Sequence, residues 1–154
     1  MNVMIEIPKI TDFKRINELA KQVHKLHVNW RPDLFLNVEN VIEKEHFEQL
    51  IKDKEIFVAK IDDEIVGYFT VNVIEKLNPS MRYRKYLAIE AICVDENYRN
   101  KGIGTSMLEF AKDMAKENKC TDLYLTVNEE NTNAIKLYEK FGFKVKSLAY
   151  SMKL

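Results

Sequence analysis

The apolar run LAIEAICV, Leu87 to Val94, is followed closely by Gly102 and Gly104 and then by Met107, Leu108, Ala111, Met114 and Ala115 at three- and four-residue spacing. Ala88 to Val94 reads as a buried strand, and the later spacing is the period of an amphipathic helix beginning near Gly102 to Thr105. A strand, a tight turn and a helix must therefore follow one another at this point. Glycine lets backbone amides approach a ligand without a Cβ in the way. The free N–H groups and positive dipole end of the helix would suit a phosphate, with Arg99 and Lys101 adding charge.

Two common glycine loops do not fit. The Walker pattern lacks a glycine five residues ahead of a Gly-Lys-Ser/Thr, and the dinucleotide fingerprint has Met107 where its third glycine belongs. Shaping a strand-to-helix turn is the alternative role of the pair.

The 154 residues suffice for a single domain, 1–154, with one core. Twenty-four basic and twenty-four acidic side chains cancel, so no bulk field favours nucleic acid or an anionic membrane. No apolar run reaches the length of a membrane span and the N-terminus has no long apolar core, so a cytoplasmic protein is expected. Cys93 and Cys120 form no C-x-x-C pair and have no nearby His, which indicates neither a disulfide framework nor a metal site.

Elsewhere the patterns alternate strand and helix. Met4 to Ile7 is a short strand; Asp12 to His27 is a helix with Phe13, Ile16, Leu19, Ala20, Val23 and Leu26 on one face. A second helix is expected over 38–52, and EIFVAKI and EIVGYFTVNVI flank a polar turn at Asp62 and Asp63, which predicts a hairpin. TDLYLTV is a strand, Asn131 to Phe141 a helix stopped by Gly142, and KVKSLAYSMKL a closing strand. The order βααβββαβαβ predicts a mixed α/β (α+β) domain.

Two segments carry a resemblance. YRNKGIG places Arg99, Gly102 and Gly104 in an Arg-x-x-Gly-x-Gly pattern, and NTNAIKLYEKFGF follows some thirty residues later. Together, in this order, they resemble the acyl-CoA-binding motifs of the GNAT superfamily of N-acetyltransferases. The resemblance implies a mostly antiparallel central sheet flanked by helices, with acetyl-CoA as co-substrate, no metal, and a small-molecule amine as acceptor. A homodimer is compatible with it. It makes the amides of Arg99, Asn100, Lys101, Gly102, Ile103, Gly104 and Thr105 receivers of the acetyl-CoA pyrophosphate. It also has the strand ending in Ile92, Cys93 and Val94 splay from the one beginning near Asp122 to admit the pantetheine arm. Asn131, with Asn133 nearby, would hydrogen-bond that arm, although an asparagine before a helix is also a common N-cap.

Direct acyl transfer needs a base for the amine and an acid for the leaving thiolate. By resemblance Tyr138 is the acid, a phenol protonated at neutral pH, with a core aromatic as the alternative. Glu90 is the only ionised side chain in its apolar run. Burial would raise its pKa toward that of a working base, and polyamine acetyltransferases of the family carry a glutamate at the matching place. The alternative is an outward-facing glutamate, since strict alternation puts Glu90 on the face opposite Ile89 and Ala91.

The acceptor wall implied by the family comprises His24, His27, Trp30, Phe35 and the segment EKLNPSMRYRKY, whose Lys76, Arg82, Arg84 and Lys85 either hold an acceptor anion or form a solvated loop. The reading is therefore an N-acetyltransferase acting on a polyamine- or aminosugar-like primary amine. The alternatives are a protein N-terminal or lysine acetyltransferase, a non-catalytic acyl-CoA-binding module, and a structural or nucleic-acid-binding protein.

Overall fold

The computed structural model describes residues 2–154. Its strands are β1 (Met4–Glu6), β2 (Ile56–Ile61), β3 (Glu64–Lys76), β4 (Arg84–Val94) and β5 (Asp122–Tyr124), and its α-helices are α1 (Phe13–Trp30), α2 (Lys44–Lys52), α3 (Ile103–Glu117) and α4 (Thr132–Phe141). The five strands form one sheet in the order β1-β2-β3-β4-β5. All neighbours are antiparallel except β4 and β5. This is the expected mixed α/β class.

Alternation along the strands divides the core into two layers. Ala59, Val66, Phe69, Leu87 and Ile89 face α3 and α4, with Met107, Leu108 and Ala111 supplied by α3. Ile56, Val58, Ile65, Tyr68 and Cys93 face α1 and α2, meeting Ile16, Leu19 and Phe47. The β2–β3 hairpin forms as the polar turn predicts: Asp62 and Asp63 both take positive φ, 49° and 65°, the twist a two-residue hairpin turn requires.

Three elements differ from the sequence patterns, each for a non-local reason. The helix expected over 38–52 starts only at Lys44. Ahead of it, Asn17 of α1 grips Ile42 at both ends, its Oδ1 accepting from the Ile42 amide at 2.9 Å and its Nδ2 donating to the Ile42 carbonyl at 3.1 Å. Those groups are lost to a helix, and Glu43 becomes an extended N-cap. The TDLYLTV strand stops at Tyr124 because its pairing with β4 stops there. Residues 144–154 carry no strand, although Leu148, Tyr150, Met152 and Leu154 alternate; all four are exposed. A period of two yields a strand only where a ladder forms and a face covers the apolar side; here Lys146 lies over the Tyr86 and Tyr124 rings, yet no ladder forms and the alternating apolar side chains stay uncovered.

Gly67 brings β3, β4 and α3 into close contact. It pairs with Ala59 and Val94, and a Cβ there would lie 2.9 Å from the Cys93 carbonyl oxygen and 3.3 Å from the Met107 thioether. The backbone oxygen has no room to retreat. Gly67→Ala is expected to lower unfolding free energy by about 1–3 kcal/mol through overpacking, read from urea denaturation midpoints.

Candidate active site

Strands β4 and β5 are paired over only three residues, Tyr86↔Asp122, Leu87↔Leu123 and Ala88↔Tyr124. Beyond this β4 runs on to Val94 with no strand on that side, so the two chains diverge into a wedge lined by an open strand edge. The closed end is fastened by the Arg84 guanidinium on the Asp122 carboxylate at 2.7 Å and by the Thr121 amide donating to the Lys85 carbonyl at 2.7 Å. Unpaired N–H and C=O groups along a strand edge are a template for another amide-bearing chain.

The open edge leads directly to the glycine turn. Asp95 caps a single 3-10 turn, Glu96–Tyr98, by accepting from the Asn97 amide at 3.1 Å. Asn100 and Gly102 then take left-handed conformations, φ 61° and 82°, and α3 begins at Ile103. The first backbone bond into the helix is Ser106 N–H to the Gly102 carbonyl, 3.0 Å. Among the described residues the amides of Ile103, Gly104 and Thr105 find no acceptor, and they sit at the positive end of a four-turn helix. Arg99, Lys101 and Thr105 are exposed around this end. A cavity of about 250 Å³ between α3 and α4, lined by Thr105, Glu109, Leu137, Lys140 and Phe141, adjoins it.

The two glycines have separate jobs. Gly102 supplies the positive φ, with open space where a Cβ would stand. Gly104 is a packing residue: a Cβ there would lie 2.9 Å from Leu137 Cδ2, so its absence lets α4 close on the start of α3. The turn-shaping role and the amide-presenting role are thus carried together.

Tyr138 projects from α4 into the layer holding Leu87 and Ile89, is 8% exposed, and meets Phe143 edge-on at 5.8 Å. Burial pushes its phenol up to about 12, which keeps the proton on at neutral pH. Its hydroxyl bonds to no described residue, yet no fully buried side-chain polar atom lacks a partner, so the oxygen opens on solvent. Asn131 is the N-cap of α4, its Oδ1 accepting from the Ala134 amide at 3.3 Å, which leaves its Nδ2 free of that duty. Asn133 is exposed on the first turn.

Glu90 stands where the strand register breaks. Thr70 pairs with Ala91 and Val71 with Ile89, so Glu90 is the extra residue of a β-bulge. Ile89 belongs to the α3 layer while Ala91 packs in the α1 layer, which overturns the strict alternation expected from the sequence. Glu90 is exposed, so the burial expected from its apolar neighbours does not occur. Ile92 and Val94 pack toward the α3 layer, whereas Cys93 points the other way and donates its thiol to the Leu19 carbonyl at 3.1 Å. Only the backbone of Cys93 reaches the wedge.

Sequence patterns missed Glu55. The Val71 amide donates to the Glu55 carbonyl at 2.9 Å, bringing that residue beside the bulge. Burial raises its carboxyl pKa, and the charges of Asp53 and Glu90 push it further the same way, against the opposing pull of His46. The proposed anion-holding loop is weaker than its composition suggests, because Arg84 is already paired with Asp122. His27 touches both Trp30 and Phe35 with ring centroids 5.5 and 5.3 Å apart, so these aromatics gather at the end of α1.

The sequence profile of the Acetyltransferase (GNAT) family matches residues 21–143. The chain belongs to the GNAT acetyltransferase family. An N-alpha-acetyltransferase of Sulfurisphaera tokodaii is 37% identical over 92 residues, 57% of this chain and 55% of that protein. Streptothricin acetyltransferase A of Bacillus subtilis is 28% identical over 136 residues, covering 86% and 78% of the two chains. This GNAT chain spans about half the length of several curated relatives that it matches. The crystal structure of the BH1408 tetramutant from Bacillus halodurans superposes with a TM-score of 0.93 at 26% identity over 98% of this chain and 99% of that one. The wedge, the glycine turn and Tyr138 of this GNAT chain all fall within or beside matched segments.

The packing role of Gly104 is open to a direct test. Gly104→Ala is expected to change stability by no more than about 1 kcal/mol, the displacement of the Leu137 methyl being offset by the better helix propensity of alanine, and Leu137→Ala should cost less in the Gly104→Ala background than alone because the Cβ then has room. Urea midpoints of the two single variants and the double variant measure the coupling; additive losses would remove the contact from the account.

Proposed function

We propose that the chain is an acetyltransferase that moves an acetyl group from acetyl-CoA to a primary amine of a small molecule. The observation that carries this reading is the continuity of an open β4 edge with three partnerless amides at the start of α3, with the solvent-reaching hydroxyl of Tyr138 set in the same layer. An extended arm bearing amides fits the first, a pyrophosphate fits the second, and a protonated phenol is what a departing thiolate needs.

In this reading the amides of Ile103, Gly104 and Thr105 receive the phosphates, with Arg99, Asn100, Lys101 and Gly102 shaping the turn. The backbone of Ile92, Cys93 and Val94 and the free Nδ2 of Asn131 hold the arm, and Asn133 borders it. Glu90, turned out of the ladder by the bulge, takes the proton that an ammonium must lose before its nitrogen attacks the thioester carbon. As the carbon–sulfur bond breaks, Tyr138 gives its phenolic proton to the sulfur. The carboxylates of Glu55 and Glu90 on one side of the bulge favour a cationic acceptor over an anionic one.

A protein N-terminus is the second reading, favoured by the 37% identity to the archaeal N-alpha-acetyltransferase. An amine panel of polyamines, aminosugars and short peptides, assayed for thiol release from acetyl-CoA, separates the two. Small cationic amines are expected to turn over best, and turnover of peptides alone would establish the second reading. Acetyl-CoA binding without thiol release on any amine would identify a non-catalytic binding module.

Tyr138→Phe is expected to leave acetyl-CoA affinity nearly unchanged and to slow kcat by roughly ten- to a thousandfold, the effect of losing one general acid. Glu90→Gln should depress kcat/KM most at low pH, where the amine arrives charged, and rising pH should partly restore it. An unchanged kcat under chemistry-limited conditions, or a wild-type pH–rate profile, would remove the respective residue from the mechanism.

A further inference from the structure

Asp95 is buried, at 4% exposure, directly after the open half of β4. Among the described residues the other buried polar side chains are Asn17 and Thr70, neither of them charged. Its partners come from far along the chain. Arg15 of α1 sets Nη2 against Asp95 Oδ2 at 2.5 Å, while its Nε and Nη2 also donate to the Ile65 carbonyl at 3.1 and 2.9 Å. Two turns further along α1, Gln22 donates Nε2 to Asp95 Oδ1 at 3.4 Å and accepts from the Glu96 amide at 2.9 Å. The Asp95 amide in turn donates to the Val66 carbonyl, 2.8 Å, and its carbonyl accepts from the Tyr98 amide, 2.8 Å. Tyr98 closes the ring of contacts by donating its hydroxyl to Glu64 Oε2 at 3.0 Å.

A buried ion pair is a poor way to gain stability, because desolvation offsets much of the attraction and an apolar pair of the same volume does as well. What a planar guanidinium that forks onto the Ile65 carbonyl and bonds Asp95 through Nη2 does better than an apolar contact is fix direction. Here it fixes the segment between the end of β4 and the left-handed residues Asn100 and Gly102. That segment determines where the first turn of α3 points. Neither Arg15 nor Gln22 stands in the strand–turn–helix segment that presents the amides, and α1 packs on the opposite face of the sheet from α3.

We infer that Arg15, Gln22 and Asp95 form a polar latch that ties α1 to the turn before α3 and holds the Ile103–Thr105 amides in register with the open edge of β4, so that they are positioning residues for acetyl-CoA. The inference rests on the proposed acetyl-CoA site, and it adds a second, cross-sheet determinant of affinity. Removing the guanidinium leaves the amides present but no longer aimed. Because the latch acts through α1, it also makes coenzyme affinity depend on the helix that carries His24, His27 and Trp30.

The test uses the full chain and two independent readouts: the dissociation constant for acetyl-CoA by calorimetry, and amide chemical shifts and hydrogen exchange of residues 97–105 in the free protein. Arg15→Gln and Asp95→Asn are each expected to weaken acetyl-CoA about tenfold, the scale of one charge-assisted hydrogen bond, and to shift and deprotect amides 97–105 while Tyr138→Phe does neither. The double variant should lose about as much as either single variant, and Arg15→Lys, which keeps the charge without the fork, should recover part of the affinity. Should Arg15→Gln fail to fold, Gln22→Leu removes only the outer half of the latch and is expected to cost about threefold in affinity with the same amide pattern. A folded Arg15→Gln protein with a lowered melting temperature but wild-type affinity and wild-type amides 97–105 would show that the pair is only structural and overturn the proposal. A wild-type chain that does not bind acetyl-CoA would overturn the functional reading instead, while the amide signals still decide whether the latch aims the turn.

Discussion

Two parallel strands that share only three residue pairs set the terms for everything else in this molecule. A parallel ladder at Tyr86–Ala88 and Asp122–Tyr124 is just long enough, with Arg84 on Asp122, to anchor β5 to the sheet. Had it continued, the amides and carbonyls of Ile89 to Val94 that face away from β3 would have been satisfied within the protein. Because it stops, β4 presents half its length as an open edge, and the obligation to satisfy those groups passes to solvent or to a ligand. The same strand delivers the chain to the glycine turn, so edge and helix N-terminus form one continuous surface.

The bulge at Glu90 belongs to the same geometry. It lies just past the last β4–β5 pair, and it reverses which residues of β4 face α3: Leu87 and Ile89 before it, Ile92 and Val94 after it. An exposed carboxylate thereby sits at the mouth of the wedge within the otherwise apolar run Leu87–Val94. On the opposite sheet face, Arg15 and Gln22 reach around to Asp95 and fasten the turn that follows. The turn is held from both sides of the sheet although the open edge and the partnerless amides lie along one strand and one helix.

Much of this was legible in the sequence because it rests on local chemistry. Asp62 and Asp63 mark a hairpin, Asn131 and Gly142 bound α4, and Gly102 marks the strand-to-helix turn ahead of α3. The YRNKGIG and NTNAIKLYEKFGF segments carried the family resemblance that the profile match bears out. What escaped the sequence depends on partners distant in the chain. The bulge exists only in the register between β3 and β4. The shortened α2 follows from Asn17 holding Ile42, twenty-five residues away. The role of Gly104 depends on Leu137, and the alternating apolar side chains of Leu148 to Leu154 find no face to cover them. Arg15 and Asp95 look like ordinary surface charges until the fold brings them together across eighty positions.

Amide hydrogen exchange of the free chain and of the chain saturated with acetyl-CoA tests the central claim most directly, because the claim concerns particular unpaired backbone groups. Protection is expected to rise at the amides of Ile89–Val94 that face away from β3 and at Ile103, Gly104 and Thr105, with little change in β1, α2 or residues 144–154. Saturable binding that protects some other surface, or an absence of binding at millimolar acetyl-CoA, would contradict the assignment of the open β4 edge and the α3 N-terminus as the coenzyme site.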